Sequence, residues 1–392
     1  MHVCSIITSY TAGGAEVLAA NLSAAFVEAG HRSTMLALCD AATIGNPLDY
    51  EAVFKQRVSD AGSEALSLRL TNRRNVLTGA LAMRRVIRDM EPDIIHVHTA
   101  QALLLLLFAG VRRPVVYTHH NIRCNFPLWL FRAFDRITGS YIAIGDACRS
   151  LLEEAVRRPV ILIRNGVPAT FSRATPRKAP RRDPVLLSAG ALTPQKDYAT
   201  LIRAAAIVVR EMASSDRHPR FRIAGDGTEM EALRALIGEL GLGANIELLG
   251  TRRDVPELMR ESDLMVNSSL FEGLPIALIE AAMSALPVVA TDVGGSGEIV
   301  APDVNGLLVP PGDPKALARA ILAILRDEDR YAAMSKASAE RSRAFSLESC
   351  ARAHMKLYAK LCLSPSRVDI PQKAGFRILS DRHVRRKISR GI

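Results

Sequence analysis

Glu272 and Glu280 stand in the string Ser269-Leu270-Phe271-Glu272-Gly273-Leu274-Pro275, which runs directly into residues 276–286. Behind Pro275 the residues are Ile-Ala-Leu-Ile-Glu-Ala-Ala-Met-Ser-Ala-Leu, apolar almost all round. They predict a buried helix with Pro275 at its first position. Glu280 is the only ionisable group of that helix. A carboxylate there needs a hydrogen-bonding partner, and the ribose hydroxyls of a nucleotide would satisfy it. Glu272 falls in the loop over the helix N-terminus, where the free N–H groups of Leu274, Ile276 and Ala277 point the same way. That arrangement suits a diphosphate leaving group with a polar sugar beside it. A structural salt bridge for either glutamate is the plainer alternative.

Three further clusters have chemistry to offer. Gly13-Gly14-Ala15-Glu16 follows the first predicted strand and opens a helix, so its backbone can approach a phosphate or an acceptor closely, or simply turn. Gly190-Ala191-Leu192-Thr193-Pro194-Gln195-Lys196-Asp197 puts Lys196 just before a helix, where it can neutralise a phosphate as a point charge or merely be solvated. Tyr117-Thr118-His119-His120-Asn121 places a polar pair at the end of a strand, a frequent site position in parallel sheets. A buried, satisfied histidine is its alternative. His96 and His98 resemble the same kind of strand end, although their alternation also suits one packed face.

To hold these groups together the chain needs parallel sheets, and its pattern supplies them. Strands are predicted at residues 3–8, 33–38, 93–97, 114–118, 141–144 and 160–163, with a helix over 15–29 capped by Gly30. Residues 168–184, with four prolines and five Lys/Arg, read as a linker. The alternation then restarts with strands at 185–189, 221–224, 246–249, 264–267 and 287–290. Strands separated by helices imply two doubly wound α/β domains, with the ligand cleft between them at the strands' carboxyl ends. The predicted organisation is a first domain over 1–170, a linker over 171–184, a second domain over 185–345, a helix over 346–363 that crosses back to the first domain, and a basic tail over 364–392.

The composition, 48% hydrophobic and 23% charged, is that of a globular protein. The net charge of +11 is uneven: residues 1–182 carry 23 Lys/Arg against 14 Asp/Glu, and residues 364–392 carry 8 against 2. An anionic membrane surface or a phosphorylated acceptor accounts for it better than nucleic acid, for which no zinc-ligand spacing or aromatic–basic stripe speaks. A solvated basic surface is the alternative, and for the run 382–387 a solvated tail. Six scattered cysteines without a CxxC pair suggest reduced thiols. The N-terminus has no basic region before its apolar run, and the longest apolar run, 102–110, is too short to span a bilayer. A cytoplasmic protein, peripheral at most on the inner face of the membrane, is expected. Asp327-Glu328-Asp329 is the only DxD-type string, and it falls between charged helical stretches. Neither Gly13-Gly14-Ala15 nor Gly225-Asp226-Gly227 completes a dinucleotide-binding GxGxxG.

With these strings in place, residues 1–362 resemble the retaining GT-B glycosyltransferases of family 4. The Glu272 to Glu280 spacing inside Phe-Glu-Gly-Leu-Pro matches the family's E-x7-E signature. Arg164-Asn165-Gly166-Val167, Gly225-Asp226-Gly227, Thr291-Asp292-Val293-Gly294-Gly295 with Glu298, and Asn305-Gly306-Leu307-Leu308-Val309 match recurrent family strings. The resemblance implies a metal-independent transferase without a cofactor, moving a sugar from a nucleoside-diphosphate sugar to a glycan or lipid-linked acceptor, in envelope polysaccharide or lipopolysaccharide synthesis. It implies that Glu272 contacts the sugar's hydroxyls, Glu280 holds the ribose, and Lys196 binds the diphosphate with Gly14 approaching from the other domain. Gly273, Leu274, Pro275 and Ile276 would complete the donor site. His120, rather than His119, would be the active-site histidine. One departure is that the family usually has Arg after the glycine at position 190, where this chain has Ala191; Arg252 and Arg253 are the candidate substitutes. Losing such a charge-assisted contact costs about 1.5–3 kcal/mol. A nucleotide-sugar epimerase or hydrolase on the same fold, and a non-catalytic sugar-nucleotide-binding subunit, are the competing classes.

Overall fold

The computed structural model describes residues 1–363 apart from residues 12, 45–47, 72–74, 123–125 and 173–174. The basic tail 364–392, with its run 382–387, lies outside the described residues, as does Cys124.

Two wholly parallel sheets form the scaffold. The first contains β1 (His2–Ile7), β2 (Arg32–Ala37), β3 (Glu64–Ser67), β4 (Ile94–Val97), β5 (Val115–His119), β6 (Thr138–Ala143) and β7 (Val160–Leu162), in the order β3-β2-β1-β4-β5-β6-β7. The second contains β8 (Val185–Ala189), β9 (Arg220–Ala224), β10 (Ile246–Gly250), β11 (Leu264–Asn267), β12 (Val288–Thr291) and β13 (Gly306–Val309), in the order β10-β9-β8-β11-β12-β13. Strands such as β4 and β12 are buried at every position because helices cover both faces, which is why they are mostly apolar, without polar alternation. The strand order reverses between β1 and β4 and again between β8 and β11, the switch points where open α/β sheets hold ligands. Gly13-Gly14 follows β1, His98 follows β4, His120 follows β5, the Lys196 loop follows β8 and the Glu272 loop follows β11.

Pattern reading missed β3 and β13. Both are four-residue edge strands, and neither is buried throughout, so they carry little alternation or apolar weight. Pro275 caps the helix Ile276–Met283 instead of occupying its first turn, as expected from the sequence. Its ψ of 107° is extended, so the chain enters the helix one residue later.

The segment read as a linker is packed onto the second unit. Arg177 is buried within it, its guanidinium donating to the carbonyls of Ser284 (2.5 Å) and Met259 (2.9 Å). Those carbonyls end two helices, Ile276–Met283 and Val255–Glu261, where a forked cation engages acceptors of the last turn, Met259 O taking it beside the Ser262 N–H. Beside it the chain crosses between the units a second time: the Val167 N–H donates to Phe345 O at 2.9 Å, and the Leu347 N–H to Val167 O at 3.0 Å. A Cβ on Gly166 would lie 2.6 Å from Cys350 Cβ and 2.7 Å from Leu347 Cα, so only glycine admits this crossing. The helix Leu347–Leu363 then lies against the helix Gly14–Glu28 of the first unit, with Tyr358 edge-on to Phe26 at 5.8 Å. Among the described residues no helix is long and apolar enough to cross a membrane.

Candidate active site

The loop after β11 and the loop after β8 are knitted into one structure. The Leu270 N–H donates to Gln195 O (2.8 Å), Gln195 Nε2 to Phe271 O (2.9 Å), and Ser268 Oγ to Lys196 O (2.9 Å). These bonds bring Lys196 Nζ to 2.5 Å from Glu272 Oε1, which also accepts from Ser269 Oγ at 2.7 Å. Glu272 is buried and Lys196 nearly so. From behind, the Gly295 N–H donates to Gly273 O at 2.8 Å, and Gly294, with φ +50°, leaves no room for a Cβ, which would fall 1.8 Å from Glu272 O. The Gly225-Asp226-Gly227 turn supports Gly190 in the same way, a Cβ on Gly225 lying 1.9 Å from Gly190 O. The glycine strings thus let backbone press on backbone behind a charged pair.

Glu280 lies one helical turn beyond Ile276, so the two share a face of the helix. Its carboxylate has no hydrogen-bond donor among the described residues, and burial pushes its pKa up to about 7, opposed by the Arg57 guanidinium of the first unit. Because the folded pKa exceeds the unfolded one, ionising Glu280 costs stability progressively from about pH 4.5 to about pH 7. Glu280→Gln is therefore expected to melt higher than the parent at pH 8, with the gap closing by pH 4.5, while nucleotide affinity falls. Melting curves across that range check it; a gap that widens toward low pH would contradict the assignment.

The first unit meets this loop directly. A Cβ on Gly273 would fall 2.4 Å from His120 O, and one on Gly14 would lie 3.5 Å from Ile276 Cδ1. Glu16 folds back over Gly13, its pKa pushed up to about 7 by burial. His120 is half-buried, and burial, reinforced by His119 and His354, pushes its pKa down to about 3. His119 instead turns inward beside Tyr117 and Phe131 and is pushed down to about 4 by burial. His96 and His98 are both buried: His96 bonds to Thr118 Oγ1 (2.7 Å) and to Tyr358 OH (2.7 Å), and His98 Nδ1 lies 2.9 Å from His120 Nε2.

Gly14, His120, Lys196, Glu272, Gly273, Leu274, Pro275, Ile276 and Glu280 therefore gather at one junction of the two units. Ala191 is exposed beside it. Arg252 is engaged by Asp254, through Nε at 2.8 Å and Nη2 at 2.5 Å, whereas Arg253 sits within electrostatic reach of Tyr50 in the first unit. Sequence reading missed Arg57, an exposed helical residue whose pattern says nothing of the cleft. Arg164 and Glu298 stand in family strings that give them no role. Glu298 of the second unit accepts from the Asp146 N–H (2.7 Å) at a helix N-terminus and from Arg164 Nε (2.8 Å), clasping the units together. Asn165 Nδ2 donates to Leu274 O at 3.2 Å, tying that junction to the Glu272 loop.

The sequence model described as Glycosyl transferases group 1 matches residues 173–341, and that described as Glycosyltransferase Family 4 matches residues 12–171. The phosphatidyl-myo-inositol mannosyltransferase of Mycobacterium leprae is 30% identical over 305 residues, which are 74% of this chain and 79% of its own length. An exopolysaccharide phosphotransferase of Streptomyces coelicolor is 36% identical over 160 residues, 40% of this chain and 17% of that protein. The chain thus spans only part of some curated relatives, 17% of this one and 48% of another. Among solved structures, that of Anabaena HepE in complex with UDP-glucose superposes with a TM-score of 0.77 at 23% identity, covering 92% of this chain and 100% of that one.

Proposed function

The chain belongs to the family 4 glycosyltransferases, and from that premise we propose that it moves a sugar, with retention and without a metal, from a nucleoside-diphosphate sugar to a glycan or lipid-linked acceptor of envelope polysaccharide or lipopolysaccharide synthesis. The observation that carries this is the Lys196–Glu272 pair in a loop whose Gly273 meets His120 and whose helix meets Gly14 at Ile276, the one carboxylate of that helix, on Glu280, having no donor among the described residues. Glu272 takes the hydroxyls of the transferring sugar and Glu280 those of the ribose. Lys196 and the N–H groups at the start of helix Ile276–Met283 stabilise the charge that grows on the leaving diphosphate. The bond between the anomeric carbon and phosphate breaks through an oxocarbenium-like state. The acceptor oxygen attacks from the face the phosphate leaves, and its proton passes to a phosphate oxygen. No protein nucleophile is required.

The acceptor side also carries an apolar and basic surface suited to an anionic membrane on the cytoplasmic side. Leu77 (72% exposed) and Leu81 (68%) share the outward face of helix Val76–Met90 with the exposed Arg84, Arg85 and Arg88. Trp129 (70% exposed) and Arg132 extend it on helix Leu128–Phe134, both helices flanking Ala100–Ala109. Arginines beside interfacial Leu and Trp bind anionic lipid through charge and apolar burial together.

A thermal-shift screen of uridine, guanosine, adenosine and thymidine diphosphate sugars selects the donor, and labelled sugar is then followed into lipid and polysaccharide acceptors. Incorporation supports transfer. Release to water alone would mark a hydrolase, and donor binding without turnover a non-catalytic subunit. Sedimentation with phosphatidylglycerol vesicles at low salt is expected for the parent and lost in Leu77→Ser/Leu81→Ser/Trp129→Ser. A parent that stays in the supernatant removes the membrane part.

A further inference from the structure

His98 follows β4, its backbone N–H fixed on Ile6 O at 2.9 Å, and its ring stacks on that of His120 with centroids 5.2 Å apart at 23°. One hydrogen bond, between His98 Nδ1 and His120 Nε2 at 2.9 Å, joins them. A neutral imidazole has one N–H and one lone pair, so this bond can be made in two ways with opposite consequences. If His120 Nε2–H donates, His98 must carry its proton on Nε2. That atom is buried with no partner among the described residues, and a buried N–H without an acceptor is the rarer and costlier orphan. If His98 Nδ1–H donates, only a lone pair is left bare at His98 Nε2.

A neighbour in the same cluster shows which orphan this interior tolerates. His354 Nδ1 lies 2.8 Å from Cys350 O, and a carbonyl can only accept, so the His354 proton is on Nδ1 and its Nε2 is a bare lone pair. His96 offers His98 no alternative partner, because both of its nitrogens are taken by Thr118 and Tyr358 while its ring packs 4.0 Å from that of His98. Burial with these neighbouring imidazoles holds His98 well below its ordinary pKa, so a doubly protonated ring does not blur the choice.

We infer that His98 is a positioning residue that locks His120 into its Nδ1–H tautomer, so that His120 offers the cleft a hydrogen-bond donor and not a base. The donor nitrogen then meets a hydroxyl or phosphate oxygen of the bound nucleotide sugar. Deprotonation of the acceptor is left to the leaving phosphate. The inference rests on the reading of His120 as a cleft residue, but its first test needs no turnover.

Long-range ¹H–¹⁵N NMR of the full chain labelled at histidine, without ligand at neutral pH, reports which nitrogen of each ring is protonated. His120 is expected as the Nδ1–H tautomer in the parent and as a mixture in His98→Leu. In transfer assays His98→Leu should lower kcat roughly 10-fold with little change in donor KM, as for loss of a group that orients another ligand. His98→Gln, whose amide can donate to His120, should recover most of it. A parent with the His120 proton on Nε2 overturns the inference, whatever the assays give. An unchanged His120 tautomer in a folded His98→Leu chain overturns it too. A chain without transferase activity would sink the proposed function but leave the tautomer result standing.

Discussion

Glu272→Ala is expected to lower sugar transfer about 100- to 1000-fold while leaving the affinity for nucleoside diphosphate unchanged or slightly higher. The loss is of the size seen when one group aimed at a transition state is removed. The preserved affinity follows from a particular contact. Without ligand, Glu272 Oε1 engages Lys196 Nζ at 2.5 Å, so the cation that must meet the diphosphate is already paired. Removing the carboxylate frees Lys196 for phosphate and removes only the partner of the sugar hydroxyls. Lys196 keeps some access to solvent, so its charge is not stranded and the melting temperature should move little. The check is kcat at saturating donor, beside calorimetric titration of the diphosphate and of the intact nucleotide sugar. Affinity for the intact sugar nucleotide should fall relative to the diphosphate. Full activity in the variant would remove Glu272 from the site.

The sequence disclosed most where a single segment sees only one environment. Strands buried on both faces, such as β8 and β11, are mostly apolar, and the sequence bounds both to the residue. The helix Ile276–Met283 was legible because a lone acid in an apolar segment demands an explanation. What stayed hidden depends on residues brought together from distant positions. Tyr358 reaches His96, and Glu298 reaches Arg164, across lengths of chain that no local pattern can bridge. The charge of Arg57, whose guanidinium donates to Asn21 Oδ1 at 2.6 Å, acts on Glu280 from a helix of the other unit. Arg177 falls in the segment read as a linker, where arginine among prolines normally lies in water; the carbonyls at two helix ends hold it inside. The tandem parallel sheets make the cleft predictable, whereas its electrostatics emerge only from the packing between the units.

Lys196→Met should be costly in both stability and activity, and a second substitution should restore only the first. With the ammonium gone, the buried Glu272 carboxylate keeps the Ser269 hydroxyl at 2.7 Å as its one donor among the described residues. A buried charge stripped of its partner costs about 3–5 kcal/mol, and the opening of this pair to the cleft argues for the lower figure. In a domain of this size that corresponds to a fall in melting temperature of roughly 6–12 °C. Replacing both groups, in Lys196→Met/Glu272→Gln, leaves a neutral amide that can still accept from Ser269 beside an apolar chain of similar length, so the melting temperature should return close to that of the parent. Transfer should not return. Losing the lysine's charge-assisted contact to the diphosphate costs about 10- to 150-fold by itself, and the exposed Ala191 offers no second cation at that turn. The double variant should therefore be as stable as the parent and at least as inactive as either single one. Such opposite behaviour separates a pair kept for chemistry from one kept for folding. If Lys196→Met melted with the parent, the two groups would not be coupled in the empty protein, and the expected gain in diphosphate affinity on removing Glu272 would lose its basis.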